Sequence, residues 1–202
     1  MAQLSTRLVG GGLTAAVLAI IASILNVEGG YVNNPADPGG ATNHGITERV
    51  AREHGYKGAM KDLPKEFAQS VVFVDYVQAP GFDKLIELSA PVGEEAVDSG
   101  VNTGPAQPSR WLQIALNSLN RQGKDYPELV VDGKAGAKTM AAYASLQKLR
   151  GKPEACRMLI KLMDAQQASY YLKLTDGNGS LETFMPGWVI NRIGNVPLER
   201  CQ

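Results

Sequence analysis

Histidine and cysteine are scarce in this sequence, with two of each (His44, His54, Cys156, Cys201), and the formal net charge is zero. Four such residues are too few for a zinc site built of cysteines, and no His-Glu-x-x-His pattern occurs. A mixed site from both histidines and Glu28 has no spacing rule behind it. No metal and no other cofactor is therefore expected. Twenty basic residues offset twenty acidic ones, and the basic ones form no block. With 4 Phe and 2 Trp beside 7 Tyr, rings for stacking bases are also few. Both features argue against nucleic acid as a partner. There is no P-loop, no Ser/His/Asp order and no heptad run.

The two cysteines leave two readings open. They pair in an oxidising compartment, or one is a buried small hydrophobe and the other a free thiol near the C-terminal end.

What the chain does have is a long apolar run. Its 202 residues suffice for one domain, or one domain with a small appendage, and for a real core. Leu8 to Val27 is uncharged over twenty residues, with ten Leu, Ile or Val, four Ala and three Gly. As a helix it would extend about 30 Å, the hydrocarbon thickness of a bilayer. The ten branched aliphatics contribute roughly −3 to −6 kcal/mol toward insertion, and Gly10, Gly11, Gly12, Asn26 and the hydroxyls offset part of that. Insertion is thus marginal. Arg7 and the amino terminus on one side favour an N-terminus inside and the rest of the chain outside. Three readings compete: a cleaved signal peptide, a buried core helix, and a weak membrane anchor that later leaves the bilayer. Glycine and alanine make exit from the bilayer feasible.

Directly after this run stands Glu28, followed by GGYVNNPADPGGATNHGIT, with five glycines, two prolines and three asparagines in nineteen residues. Such density specifies successive tight turns, with a short hairpin carrying Pro-Ala-Asp-Pro-Gly-Gly at its tip. A glutamate at a helix end facing a glycine-rich loop is well placed for acid chemistry: the helix holds the carboxyl still, and the glycines admit a polymer.

Glu28-Gly29-Gly30-Tyr31, Asn34 to Asn43 and Gly45-Ile46-Thr47 together resemble the signature of glycoside hydrolase family 108, the N-acetylmuramidases of phages and prophages. The likeness is dense over 28–56. It continues more loosely through EEAVDSGVNTGPAQ, WLQIALN, VDGKAGAKT and GWVINRI. The family's catalytic glutamate falls on Glu28. Phage lysozymes with a Glu–x8–Asp–x5–Thr triad are more distantly similar. Asp37 has the x8 spacing here, while Thr42 arrives one residue early, which leaves Thr42 and Thr47 as alternatives. Val77, Ala137 and His44 depart from the family pattern, and none touches Glu28.

The resemblance implies catalysis by Glu28, Asp37 and Thr42, with Tyr31, Asn43, Thr47 and Asn102 binding substrate. Breaking a glycosidic bond requires a proton donor and stabilisation of positive charge at the anomeric carbon. Ile24, Leu25 and Val27 offer Glu28 the apolar surroundings that would keep it protonated. Asp37, in a solvated turn, would stay ionised and orient water or balance charge. Its alternative role is turn chemistry before Pro-Gly.

Elsewhere, Thr47–Gly55 reads as a short capped helix with a glycine stop. Pro64–Gln78 reads as another, with Asp62 before it and Pro80 ending it. Leu112, Ala115, Leu116 and Leu119 recur at helical spacing. Pro153–Leu174 reads as a long helix. Asp98 and Asn102 share a helical face, lining a cleft or forming a structural pair. LVVDGKAGAKT reads as a strand-like pair and a Gly-rich turn before a helix, similar to the small loop of peptidoglycan-binding modules. Trp188 stacks on a sugar or sits in the core.

The expected fold is mainly α and lysozyme-like, with a small β-hairpin and loop region next to the catalytic helix. The expected organisation is an apolar segment (1–27), a catalytic region (28–95) and a helical C-terminal region (96–202). The resemblance implies a monomeric endolysin hydrolysing the β-1,4 bond between N-acetylmuramic acid and N-acetylglucosamine in peptidoglycan. Residues 8–27 would hold it briefly in the host inner membrane, uncleaved, before it acts in the periplasm. The alternatives are a non-catalytic peptidoglycan-binding or virion structural protein, and a small membrane-lesion protein. An intact Glu28 favours the enzyme over both.

Overall fold

The computed structural model describes residues 15–27, 30–33 and 40–202. The chain forms two compact units, which divide between Gln78 and Ala79.

In the first unit, helix α1 (Ala15–Val27) buries Val17, Ile20 and Ile21, spaced i, i+3, i+4, while Leu18 is half exposed. One apolar stripe thus faces the core, and α1 packs on α3 (Lys65–Val72), which buries Ala68, Val71 and Val72. Among the described residues, no helix is long and apolar enough to cross a membrane. The apolar run begins at Leu8, outside the described residues.

Strands β1 (Thr42–Asn43) and β2 (Ile46–Thr47) pair antiparallel, Thr42 opposite Thr47 and Asn43 opposite Ile46. His44 and Gly45 join them, both with positive φ (50° and 72°), as a two-residue hairpin turn demands. A separate bridge ties Val32 to Thr42, and the Pro-Ala-Asp-Pro-Gly part of the expected hairpin tip lies outside the described residues. Gly40 has φ 77°, and a Cβ there would stand 3.1 Å from the Glu48 Cβ.

Thr47 caps α2 (Glu48–Glu53), its hydroxyl accepting from the Val50 amide, and Gly55 follows at φ 83°. The helix expected over Pro64–Gln78 is α3 continued by a π-helical turn, Phe73–Gln78. That turn buries Phe73 and Val77. Pro64 is the residue at the start of α3, and Asp62, before it, ends a short 3-10 turn (Met60–Asp62).

In the second unit, α4 (Phe82–Leu88), α5 (Ala90–Thr103), α6 (Ala106–Ser118) and α7 (Ala137–Arg150) surround the long α8 (Lys152–Gly177). Helices α5, α6 and α7 each pack on α8, and α4 packs on α5 and α7. The core includes Phe82, Leu85, Val92, Leu112, Leu116, Tyr143, Leu159 and Met163. Gly81 lets the chain enter α4: a Cβ there would meet the Ala135 carbonyl oxygen at 2.6 Å. A 3-10 turn (Gly179–Phe184) leads into α9 (Met185–Arg192), and the Cys156–Cys201 disulfide fixes the C-terminal segment to α8. Of the two cysteine readings, the bridge is the one the structure contains. The expected division at 95/96 falls inside α5.

The stretch before α7 forms no strand pair. Side chains of α6 take the place of a partner strand. Asn117 bonds both the amide and the carbonyl of Leu129, Arg110 donates to the Val131 carbonyl, and Gln113 accepts from Gly133 and donates to the Lys134 carbonyl. A ladder is unnecessary when its bonds are supplied this way.

Candidate active site

Glu28 and Asp37 lie outside the described residues; the hairpin that follows them is described. Directly opposed residues of an antiparallel pair project to the same face, so Thr42 and Thr47 are side by side. The Thr47 hydroxyl is engaged at the start of α2, 3.4 Å from the Val50 nitrogen. Among the described residues, the Thr42 hydroxyl has no hydrogen-bond partner. Asn43 is buried, and its amide donates to the carbonyls of Met60 (2.8 Å) and Lys61 (3.3 Å). It pins the hairpin to the 3-10 turn. Tyr31 is 47% exposed beside the Val32 bridge. Thus Tyr31, Thr42, Asn43 and Thr47 come together on one small sheet. In the same unit His54, at the end of α2, pairs with Asp75 of the π-helical turn at 2.9 Å.

Asn102 belongs to the second unit. It lies at the end of α5, exposed, and donates to the Tyr171 hydroxyl of α8 at 2.6 Å. One turn back, Asp98 accepts from Arg192 (2.6 Å) and Asn195 (2.8 Å). Burial raises the Asp98 pKa, while the Arg192 charge opposes the rise. Asp98 and Asn102 share the face expected of them without bonding each other. Each is tied to a different C-terminal element.

Further into the same unit, Glu95 is 1% exposed. Its Oε1 accepts from Ser99 at 3.1 Å, and among the described residues Oε2 has no partner. Burial, reinforced by the Asp164 charge, pushes its pKa up to about 8. This acid escaped the sequence reading because it stands beside Glu94 in an unremarkable Glu-Glu pair. Tyr171, Arg192 and Asn195 escaped it because they meet α5 only through the fold. Among the described residues no cluster of three or more His, Cys, Asp or Glu is arranged to hold a metal.

Comparison with known proteins places two sequence families end to end. Residues 21–104 match the model described as Glycosyl hydrolase 108. Residues 107–193 match a predicted peptidoglycan domain. The chain is also similar to a solved structure, that of Brucella abortus SagA, at 28% identity and TM-score 0.64, over 91% of this chain and 92% of that one. No protein of curated function matches. The glycosyl hydrolase 108 match contains the whole turn-rich loop and, with the mainly α fold, supports a lysozyme-like glycoside hydrolase. The domain joined to it makes peptidoglycan its partner. The 108 match also runs past Gln78, so its last part, α4 and α5, folds with the peptidoglycan match in the second unit.

Proposed function

We propose that the protein is an N-acetylmuramidase, an endolysin that cuts the β-1,4 bond between N-acetylmuramic acid and N-acetylglucosamine when a phage lyses its host. The observation that carries this reading is Glu28 at the head of Glu-Gly-Gly-Tyr and the Asn34–Asn43 run, all inside the glycosyl hydrolase 108 match. Glu28 is the general acid, donating its proton to the leaving oxygen. Asp37 remains ionised, and with Thr42 orients water or balances the charge at the anomeric carbon. Tyr31, Asn43, Thr47 and Asn102 serve substrate binding, Asn43 by holding the hairpin in place.

Residues 8–27 anchor the new protein in the host inner membrane and later release it to the periplasm, where it acts as a monomer. The reading is supported by the marginal hydrophobicity of the run and by α1, whose buried stripe is what a released segment would use to pack.

Glu28→Gln tests the chemistry. The amide is nearly isosteric but donates no catalytic proton, so turbidity clearing of purified wall should fall by roughly 10²–10⁴-fold with the fold intact. A folded variant within a few-fold of wild type would sink the muramidase assignment. Reducing-end analysis of the fragments identifies which bond is cut.

A further inference from the structure

Neither the 3-10 turn Gly179–Phe184 nor α9 buries a single residue, yet the segment carries Phe184 and Trp188 one helical turn apart. Side chains this large that do not fill a core call for another explanation. The two rings are ordered against a third. Trp188 stacks on Tyr171 with centroids 4.7 Å apart and planes 21° apart, and Phe184 stacks on Trp188 at 6.0 Å and 25°. The column runs outward from Tyr171, 1% exposed, through a half-buried Trp188 to Phe184, 54% exposed. Its inner end is held firmly: the Tyr171 hydroxyl receives both Asn102 (2.6 Å) and Gln167 (2.9 Å). Among the described residues, the Asn102 carbonyl oxygen has no partner.

We propose that Phe184, Trp188 and Asn102 form a binding site for the glycan strand of peptidoglycan on the second unit. This rests on the reading of peptidoglycan as substrate and gives that partner a location. A pyranose ring offers a flat face of C–H groups, which an aromatic ring with a negative face attracts, and amide and hydroxyl groups around its edge. The column holds Phe184 with an exposed flat ring, braced from behind by Trp188, and Asn102 supplies an amide beside the Tyr171 hydroxyl. The peptidoglycan match covers Tyr171, Phe184 and Trp188, and the hydrolase match covers Asn102, so both families contribute to the same surface. A lipid surface would need no near-parallel rings and no amide. The exposed Val189 and Ile190 are the aliphatic side chains it would use instead.

The test is co-sedimentation of the full chain with purified sacculi, in a Glu28→Gln background so that the glycan is not consumed. Phe184→Ala should weaken binding by about 3- to 10-fold, the worth of one aromatic contact. Its thermal midpoint should fall only slightly, because the ring is more than half exposed and its internal contact is the stack on Trp188. Phe184→Tyr should restore binding and Phe184→Leu should not, which separates stacking from greasiness. Trp188→Ala disturbs Tyr171, so Phe184 and Asn102→Ala carry the test. A parent chain that does not sediment with sacculi overturns the site, as do Phe184→Ala and Asn102→Ala variants that sediment like the parent. Loss of binding to phosphatidylethanolamine–phosphatidylglycerol vesicles, with sacculus binding unchanged, overturns it in favour of lipid. The hydrolase reading fails separately, if wild-type protein that binds sacculi releases no reducing ends.

Discussion

Thr42 stands directly opposite Thr47 across the two-stranded ladder, and only Thr47 has its hydroxyl occupied among the described residues. The sequence spacing left these two threonines as rivals for one role; the geometry separates what each can do. Thr47→Val removes an N-cap and should cost about 1 kcal/mol of stability. Thr42→Val removes no such bond, so stability should hold while wall hydrolysis falls by about 10²-fold through a misplaced water. Melting curves and turbidity assays on the two variants check both halves. Full activity in a folded Thr42→Val variant would move the catalytic role to Thr47.

The bridge between Cys156 and Cys201 spans 45 residues and fastens the tail to α8. Closing a loop of that length restricts the unfolded chain by about 4 kcal/mol in the chain-entropy account. Cys201→Ser, or reductant on the wild type, should therefore lower the melting midpoint of the second unit. Mass spectrometry after alkylation without reductant should find no free thiol in protein recovered from an oxidising compartment. Two alkylated cysteines in folded protein would refute the bridge.

A fragment ending at Gly104 should fail to keep α4 and α5 folded, although it spans the whole hydrolase match. Val92, Ala96 and Val97 are fully buried, and α5 packs against α6 and α8, which the fragment lacks. Each exposed valine forfeits about 1.5 kcal/mol or more. Asp98 loses Arg192 and Asn195, and Asn102 loses Tyr171. Hydrogen exchange on the fragment should show residues 79–104 unprotected. Native-like protection there would make the family boundary a folding boundary too.

These relationships show what was legible in the sequence and what was not. Local features were legible: the Thr47 cap, the glycine after α2, the long α8 and the stripe of Leu112, Ala115 and Leu116 all depend on neighbours within a turn or two. The stretch before α7 misled, because its bonds come from Asn117, Gln113 and Arg110 of α6 and not from a strand. The π-helical turn has no periodic signal. The site divides the same way. Apposition of Thr42 with Thr47 follows from a two-residue turn at His44–Gly45, which was within reach. The column of Tyr171, Trp188 and Phe184 was not, because it depends on how α9 lies against α8.

The buried Glu95 makes the second unit lose stability as pH rises from about 4.5 to about 8, and the sign follows from its surroundings. Its neighbours are Asp164 on α8 and Asp98 and Glu94 on its own helix, with Arg192 bonded to Asp98 and Arg200 to Glu94. The carboxyl titrates at about 8 when folded, against the ordinary 4.5 when unfolded. Below the lower value both states hold the proton and the contribution to stability is complete. As pH rises between the two values, only the unfolded state gives its proton up, so stability declines steadily. Above about 8 the folded state ionises as well, and the decline from this group ends. Burial raises Asp98 and Asp164 in the same direction, adding a decline of the same sign. Glu95→Gln keeps the shape and the acceptor for Ser99 but has no proton to lose. Its melting midpoint should therefore vary less with pH than that of wild type, and at pH 8 the variant should be the more stable of the two. Parallel pH profiles for the two proteins would mean that Glu95 is already ionised in the folded state.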